Sequence, residues 1–205
     1  MIRNKNELSF YIQADHMMNR GVFKPLKKQF LQNLFLHDTI CDYLKELRKA
    51  EYYRNHSGVS ILKYHNRIKL RKLSEKLGFS IACNVFGYGL VIPHHGTIVV
   101  GEGNIIGDYC VLHTSTCITA GSKKIGKGLY VSTGAKLVND IILGDGITIG
   151  ANAVVNKNYE KSNAVLAGIP AKFIKESELW YSRDGIEFER RQKACEELKR
   201  KMNIQ

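Results

Sequence analysis

The sequence lacks the cysteine pattern of a disulfide framework: its five cysteines are an odd number and include no Cys-x-x-Cys pair. That usage is typical of a reducing compartment, so we expect a cytoplasmic protein. No stretch approaches the roughly 18 uninterrupted apolar residues that a membrane span requires. The first ten residues, MIRNKNELSF, have no apolar run and no small-residue cleavage site. We therefore expect neither a signal peptide nor a transmembrane helix.

The positive charge is unevenly distributed. The formal net charge is +12, and residues 1–78 carry 16 Lys and Arg against 7 Asp and Glu, whereas the remainder is nearly balanced. We interpret the excess as a solvated helical face, because the sequence shows neither the interleaved aromatics of a single-strand binder nor zinc-finger spacing. We predict no nucleic-acid partner. Contact of this basic region with a membrane surface or a polyanion stays open.

The first zone, residues 1–78, is predicted to be a helical domain. Residues 30–48, FLQNLFLHDTICDYLKELR, and residues 60–77, SILKYHNRIKLRKLSEKL, both place apolar side chains near helical spacing with few breakers. Gly78 follows the second stretch and is a plausible C-cap. The apolar positions of the first stretch are Leu31, Leu34, Phe35, Ile40, Leu44 and Leu47.

The second zone, residues 79–174, has a six-residue period. Each apolar position is followed by another six residues later, with a one-residue slip after Ile118 and two additional residues before Val100. This period fits a chain that turns a corner every six residues, so that three sixes make one triangular coil and the coils stack into a prism. A β-sandwich is the alternative, but its strands alternate with period two. The positions are Phe86, Ile92, Ile106, Leu112, Ile118, Ile125, Val131, Leu137, Leu143, Ile149 and Val155.

The third zone, residues 175–205, is charged with spaced apolar residues and is predicted to form one or two helices, a helical tail that packs on the end of the prism or on a neighbour. No chemistry is assigned to it from the sequence. Together the three zones predict an α+β chain: an N-terminal helical domain, a β-helix and a C-terminal helical tail.

The six-residue register followed by residues 165–172, VLAGIPAK, resembles the left-handed parallel β-helix acyltransferases with hexapeptide repeats. Within them, residues 89–102, GLVIPHHGTIVVGE, look like the serine O-acetyltransferase branch, and the similarity is greatest to the short members of capsule and O-antigen gene clusters. The resemblance implies acetyl-CoA as co-substrate, no metal, and a homotrimer with sites between subunits.

The resemblance places His94 at the position of the catalytic general base. A neutral alcohol attacks a thioester poorly until its proton is removed, and an imidazole that titrates near neutrality suits that task. His94 also lies where two additional residues break the six-residue step, so its ring can leave the prism wall. His113, 19 residues later, is the second catalytic candidate and is expected nearly beneath it. His95 is expected to pack beside His94 or to contact the acceptor.

The slip in residues 119–124, TAGSKK, is expected to mark a loop that leaves the prism and covers the site. By position in relatives, Ala120, Gly121, Thr133 and Ala151 would approach coenzyme A with small side chains. Lys172 would meet its phosphates. The alternatives are that Ala151 is only a corner residue and that Lys172 is only solvated.

The segment also departs from the family pattern on the acceptor side. Pro93 stands where relatives have Asp, Gly121 and Ser122 stand where they have Arg and His, and Phe79 stands where they have the carboxylate that orients the base. A free serine would lose charge-assisted contacts there. We therefore expect a sugar hydroxyl of a surface polysaccharide as acceptor, contacted by Pro93, His95 and Ser122.

Three alternatives remain. Serine is the acceptor if the N-terminal zone supplies replacement contacts, for instance from Asp15, Glu51 or Arg67. A zinc hydratase on the same prism would use His94, His95 and His113, although their spacing does not fit the pair such sites need. A non-catalytic assembly module would use the flat prism faces for association.

Overall fold

The computed structural model describes residues 1–21, 38–56 and 61–204. The N-terminal helices are α1 Lys5–Arg20, α2 Thr39–Asn55 and α3 Ile61–Leu77. Asp38 begins α2 because its carboxylate accepts the backbone N–H groups of Ile40 and Cys41. Of the helix predicted over 30–48, residues 30–37 lie outside the described residues, including Leu31, Leu34 and Phe35. Gly78 ends α3 with φ +77°, as predicted.

The prism is built from short strands in three faces. Face A contains β1, β2, β5, β8 and β11; face B contains β3, β6 and β9; face C contains β4, β7, β10, β12 and β13. All pairings are parallel except that of β12 with β13. In chain order the strands are β1 Phe79–Ile81, β2 Ile98–Val100, β3 Ile105–Ile106, β4 Val111–Leu112, β5 Thr116–Ile118, β6 Lys124–Ile125, β7 Tyr130–Val131, β8 Lys136–Leu137, β9 Ile142–Leu143, β10 Thr148–Ile149, β11 Val154–Val155, β12 Ala164–Gly168 and β13 Ala171–Glu176. The predicted parallel β-helix is confirmed.

The six-residue repeat lines the inside of this prism. Leu112, Val131, Ile149 and Leu166 are register partners on face C and are all buried. A residue at one such position cannot leave water until the coil above and the coil below are in place, which is why the coils stabilise one another. Complete burial of each aliphatic side chain contributes about 1.5–3 kcal/mol to the free energy of unfolding.

Arg48 fixes the helical region to the first coil. Its guanidinium is fully buried and donates to the carbonyl oxygens of Phe86 and Gly87 at 3.0 and 2.6 Å. It also forms ion pairs with Asp15 at 2.7 Å and with Glu51 at 2.9 Å, and both carboxylates are 2% exposed. The suggestion that Asp15 or Glu51 supplies acceptor contacts is wrong, because both already neutralise a buried charge.

The C-terminal tail packs on the outside of face C, not on the predicted end of the prism, because Trp180 and Arg183 contact side chains and backbone along that face. Its helices are α4 Trp180–Arg183 and α5 Ile186–Lys201, and α5 contacts α1. Trp180 is 2% exposed, and its Nε1–H donates to the carbonyl oxygen of Tyr109 at 2.7 Å. Among the helices of the described residues, none has an apolar stretch long enough to cross a membrane.

Candidate active site

Six of the predicted site residues, Pro93 and His95 among them, lie on one edge of the prism, where each coil passes from face C to face A. We call this edge the C–A corner; it carries His94, His113, Thr133 and Ala151 in successive coils. Successive coils contact each other at this corner through backbone hydrogen bonds. The N–H of Gly134 donates to the carbonyl oxygen of Thr114 at 3.0 Å, and the N–H of Asn152 donates to that of Thr133 at 2.9 Å. The repeat thus brings together residues that are far apart in sequence.

The first coil is enlarged at this corner. Eight positions separate Ile92 from Val100, whereas six separate Leu112 from Ile118 in the coil that follows. His94 and His95 are exposed on the enlarged turn, and Pro93 beside them is half-buried. The turn returns to the wall at Gly96, whose N–H donates to the carbonyl oxygen of Leu77 at 3.0 Å. The two additional residues therefore carry the imidazoles outward, as predicted for His94.

His113 lies on the same corner in the following coil. The ring centroids of His94 and His113 are 6.5 Å apart, with an interplanar angle of 47°. His113 is half-buried, and its Nε2 lies 2.8 Å from the hydroxyl oxygen of Tyr130. Burial lowers the pKa of His113, the nearby His94 lowers it further, and Asp184 opposes both. The corner thus pairs an exposed imidazole with one that favours its neutral form.

Sequence reasoning missed three residues next to His113. Tyr130 reaches it from β7, and Arg183 and Asp184 come from the tail: the Arg183 Cζ lies 5.2 Å from the centre of the Tyr130 ring, and Asp184 forms an ion pair with Arg183 at 2.7 Å. Tyr130 could have been found from its position directly before Val131. Successive side chains of a strand point to opposite faces, so an inward Val131 requires an outward Tyr130. Nothing in the sequence signalled that the tail returns to this corner.

Ala120, Gly121 and Ser122 lie elsewhere in the chain, on the edge between faces A and B, which we call the A–B corner. The predicted loop is wrong, because this segment remains on the wall. Gly121 N–H donates to the carbonyl oxygen of Glu102 at 3.1 Å, and Ser122 N–H donates to the Asp140 carboxylate at 2.7 Å. Within one chain these residues do not lie beside His94 and His113, which we call the histidine pair.

The A–B corner has one residue more than six, and the chain accommodates it by burying the side chain of Lys123. Its side chain is fully buried, and its Nζ donates to the carbonyl and hydroxyl oxygens of Thr119 at 2.8 and 3.0 Å. The amide of Asn104 caps the same turn by donating to Gly101 and Thr119. The slip in the repeat therefore marks a buried polar corner.

Lys172 lies on β13, the antiparallel strand that closes face C, opposite Ala167. Its side chain is exposed, next to the cis peptide bond between Ile169 and Pro170. A basic group in this position is free to meet an anionic ligand that lies along the last coils.

No group of three or more His, Cys, Asp or Glu side chains in residues 1–21, 38–56 and 61–204 is arranged to hold a metal ion. The set of His94, His95 and His113 proposed for a zinc hydratase does not form such a group. The zinc alternative therefore gains no support from this geometry.

No family profile matches the chain. It is similar to a serine acetyltransferase of Buchnera aphidicola subsp. Schizaphis graminum, with 32% identity over 163 residues that cover 74% of this chain and 59% of the relative. The chain spans 38–59% of the length of this and two other curated relatives.

Solved structures share the fold. A Neisseria gonorrhoeae serine acetyltransferase in complex with serine matches with a TM-score of 0.61 and 20% identity, covering 83% of this chain and 70% of that chain. A serine acetyltransferase in complex with CoA matches with a TM-score of 0.58 and 22% identity, covering 82% of this chain and 68% of that chain.

These similarities correct the expected acceptor. Relatives of 32–34% identity are serine acetyltransferases, so the expectation of a sugar acceptor and of a capsule or O-antigen branch is wrong. The departures at Phe79, Pro93 and Gly121–Ser122 therefore do not by themselves indicate a different acceptor. Phe79 is a core residue, 3% exposed and packed edge-on against Tyr43, and so cannot occupy an acceptor pocket.

Proposed function

We propose that this chain transfers the acetyl group of acetyl-CoA to the hydroxyl group of serine. The observation that carries the proposal is the exposed His94 on the enlarged C–A corner, within the segment 89–102 that resembles the serine acetyltransferases. The 32% identity to a serine acetyltransferase and the shared fold with CoA-bound and serine-bound relatives support it.

In the proposed reaction His94 acts as general base. Its ring nitrogen takes the hydroxyl proton of serine as the serine oxygen bonds to the thioester carbon. The tetrahedral intermediate then collapses, the carbon–sulfur bond breaks, and the proton passes from His94 to the departing thiolate. The products are O-acetylserine and free coenzyme A, and no covalent enzyme intermediate forms.

The donor would lie along the C–A corner. Thr133 and Ala151 are exposed in the coils that follow the histidine pair, and their small side chains allow a pantetheine arm to approach the backbone. Lys172 would meet the phosphates through its exposed ammonium group. A backbone N–H would stabilise the oxyanion, because preorganised donors act most strongly where negative charge develops.

The acceptor would lie beside Pro93, His94 and His95. We further propose a homotrimer in which the A–B corner of one copy, with Ala120, Gly121 and Ser122, lies beside the C–A corner of the next. The placement of these residues on separate corners of one chain supports a shared site. The exposed apolar side chains of Ile105 and Ile142, on the outer side of face B, support packing between copies.

The test is acetyl transfer from acetyl-CoA to L-serine, followed by thiol release and by the mass of the product. We expect serine to gain one acetyl group, with L-threonine and a panel of nucleotide sugars as matched acceptors that react more slowly. Light scattering of the same sample measures the assembly state. Absence of transfer to serine, with folded protein and intact acetyl-CoA, would contradict the proposal and would favour the assembly module.

A further inference from the structure

Tyr130 connects the C-terminal tail to the histidine pair. Its hydroxyl lies 2.8 Å from Nε2 of His113, and its ring lies between the catalytic corner and the tail. The Trp180 ring centre is 6.3 Å from the Tyr130 ring centre, and the Arg183 guanidinium stands over the Tyr130 ring at 5.2 Å. The Tyr130 hydroxyl therefore contacts His113 while its ring contacts Trp180 and Arg183 of the tail.

These contacts come from a part of the tail that is anchored by its own hydrogen bonds. Trp180 is anchored by its bond to the carbonyl oxygen of Tyr109. Arg183 is held in place because its Nη1 donates to the Thr148 hydroxyl at 3.0 Å and to the Ser177 hydroxyl at 3.2 Å. A cation held over an aromatic ring fixes the ring as well as the charge. The tail therefore restricts Tyr130 to the orientation that bonds His113.

We propose that Tyr130 is a positioning residue: it donates its hydroxyl proton to Nε2 of His113, so that His113 stays neutral and carries its hydrogen on Nδ1. His113 then offers that N–H to the acceptor held at His94. This inference rests on the proposed function, because it names the second group that the acceptor meets. It gives the tail a role in the reaction that the sequence did not indicate.

The order of the coils supports this arrangement. The coil of His113 lies between the coil of His94 and the coil of Tyr130, since Val111 pairs with Val91 on one side and with Tyr130 on the other. The two nitrogens of an imidazole lie on different sides of the ring. With Tyr130 on Nε2, the Nδ1–H is the group left for the side of His94.

The charges around His113 agree with the neutral form. The titratable groups that face it are His94 from the first coil, Tyr130 from β7, and Asp184 at the end of α4. Burial raises the pKa of Tyr130, so the phenol keeps its proton and can donate it. A positive charge on both histidines at once is disfavoured by their proximity.

The first experiment measures the tautomer of His113 by nitrogen-15 NMR in the full-length protein and does not depend on any activity. We expect the Nδ1–H tautomer in the wild type. In Tyr130→Phe we expect a mixture of tautomers and a higher pKa of His113, because a hydrogen bond to the neutral form has been lost. Tyr64→Phe, exposed on α3, is the matched control and should change neither. An Nε2–H tautomer in the wild type would overturn the inference.

The second experiment is a double-mutant cycle on serine acetylation. We expect Tyr130→Phe to lower kcat/KM about tenfold and to move the acid limb of its pH profile to higher pH. The same substitution in a His113→Ala background should have almost no effect, because Tyr130 acts only through His113. Equal losses in both backgrounds would overturn the inference.

The tautomer measurement and the double-mutant cycle together distinguish failure of this inference from failure of the proposed function. If serine gains no acetyl group in any variant, the proposed function fails and the tautomer measurement alone decides the role of Tyr130. If serine is acetylated equally by wild type and Tyr130→Phe, the proposed function stands and the inference fails. Thermal melting of each variant identifies losses that come from unfolding.

Discussion

Two corners of the prism break the six-residue step, and they place their additional residues in opposite directions. The C–A corner of the first coil has two additional residues and exposes His94 and His95. The A–B corner between β5 and β6 has one, and Lys123 there is fully buried. The sequence predicts that both leave the wall, and in the structure only the first does.

The difference lies in hydrogen bonding. At the A–B corner the carboxylate of Asp140 and the amide of Asn104 accept the N–H groups of Ser122 and Lys123 from the coils on either side, so the segment stays on the wall. At the C–A corner the turn is held at its end by Gly96. In this chain the additional residues therefore leave the wall at the corner where neighbouring coils do not supply partners for them.

The largest expected effect tests the exposed corner. His94→Ala should reduce kcat/KM for serine about 1000-fold, because the general base is lost. The free energy of unfolding should stay within about 0.5 kcal/mol of wild type, since the side chain is exposed. Kinetics and urea unfolding of the same preparations measure both. His65→Ala, exposed on α3, is the control, and retained activity in His94→Ala would remove the basis of the proposed reaction.

The next effect compares one glycine from each corner. A Cβ added to Gly103 would lie 2.3 Å from the carbonyl oxygen of Gly121, at φ +85°, whereas one added to Gly96 would lie 3.0 Å from the methyl group of Thr114, at φ +141°. Gly103→Ala should therefore lower the free energy of unfolding by about 3 kcal/mol, and Gly96→Ala should lower it by about 1 kcal/mol. Equal losses in urea unfolding would show that the two corners are equally tightly packed.

A smaller effect concerns the buried corner. Lys123→Ala should lower the free energy of unfolding by about 2 kcal/mol, because its buried stem leaves a cavity and Thr119 loses a hydrogen-bond donor. Lys124→Ala, the exposed neighbour on β6, should be nearly neutral. A loss of stability as small as that of Lys124→Ala would contradict the burial.

The smallest effect is a pH dependence. Burial lowers the pKa of Lys123, while Asp140 and Cys117 raise it. The folded state then binds this proton less tightly than the unfolded state does, so the free energy of unfolding should rise with pH from the lowered folded-state pKa up to the unfolded-state pKa of about 10.4. Lys123→Met keeps the stem and removes the titration, and subtracting its profile from that of wild type isolates the lysine. A flat difference would mean that the ammonium is already well solvated.

Much of the candidate site could be predicted from the sequence, because each coil of the repeat has a nearly constant number of residues. The positions of His94, His113, Thr133 and Ala151 on one corner follow from steps of 18 to 20 residues. Whether the additional residue near Lys123 left the wall could not be predicted, since that depends on partners from other coils. The sequence could not show for the same reason that Phe79 lies in the core, because its surroundings are set by a contact with Tyr43 on α2.

The sequence by itself determined the parallel β-helix, the corner that carries the histidines and the enlarged turn, because a six-residue period constrains each coil through its own apolar residue. Only the tertiary structure decided that Arg48 neutralises Asp15 and Glu51, and that Tyr130 reaches His113 with Arg183 over its ring. Those contacts join segments with no common period, and they form because a buried charge needs partners and an aromatic ring needs a packed neighbour.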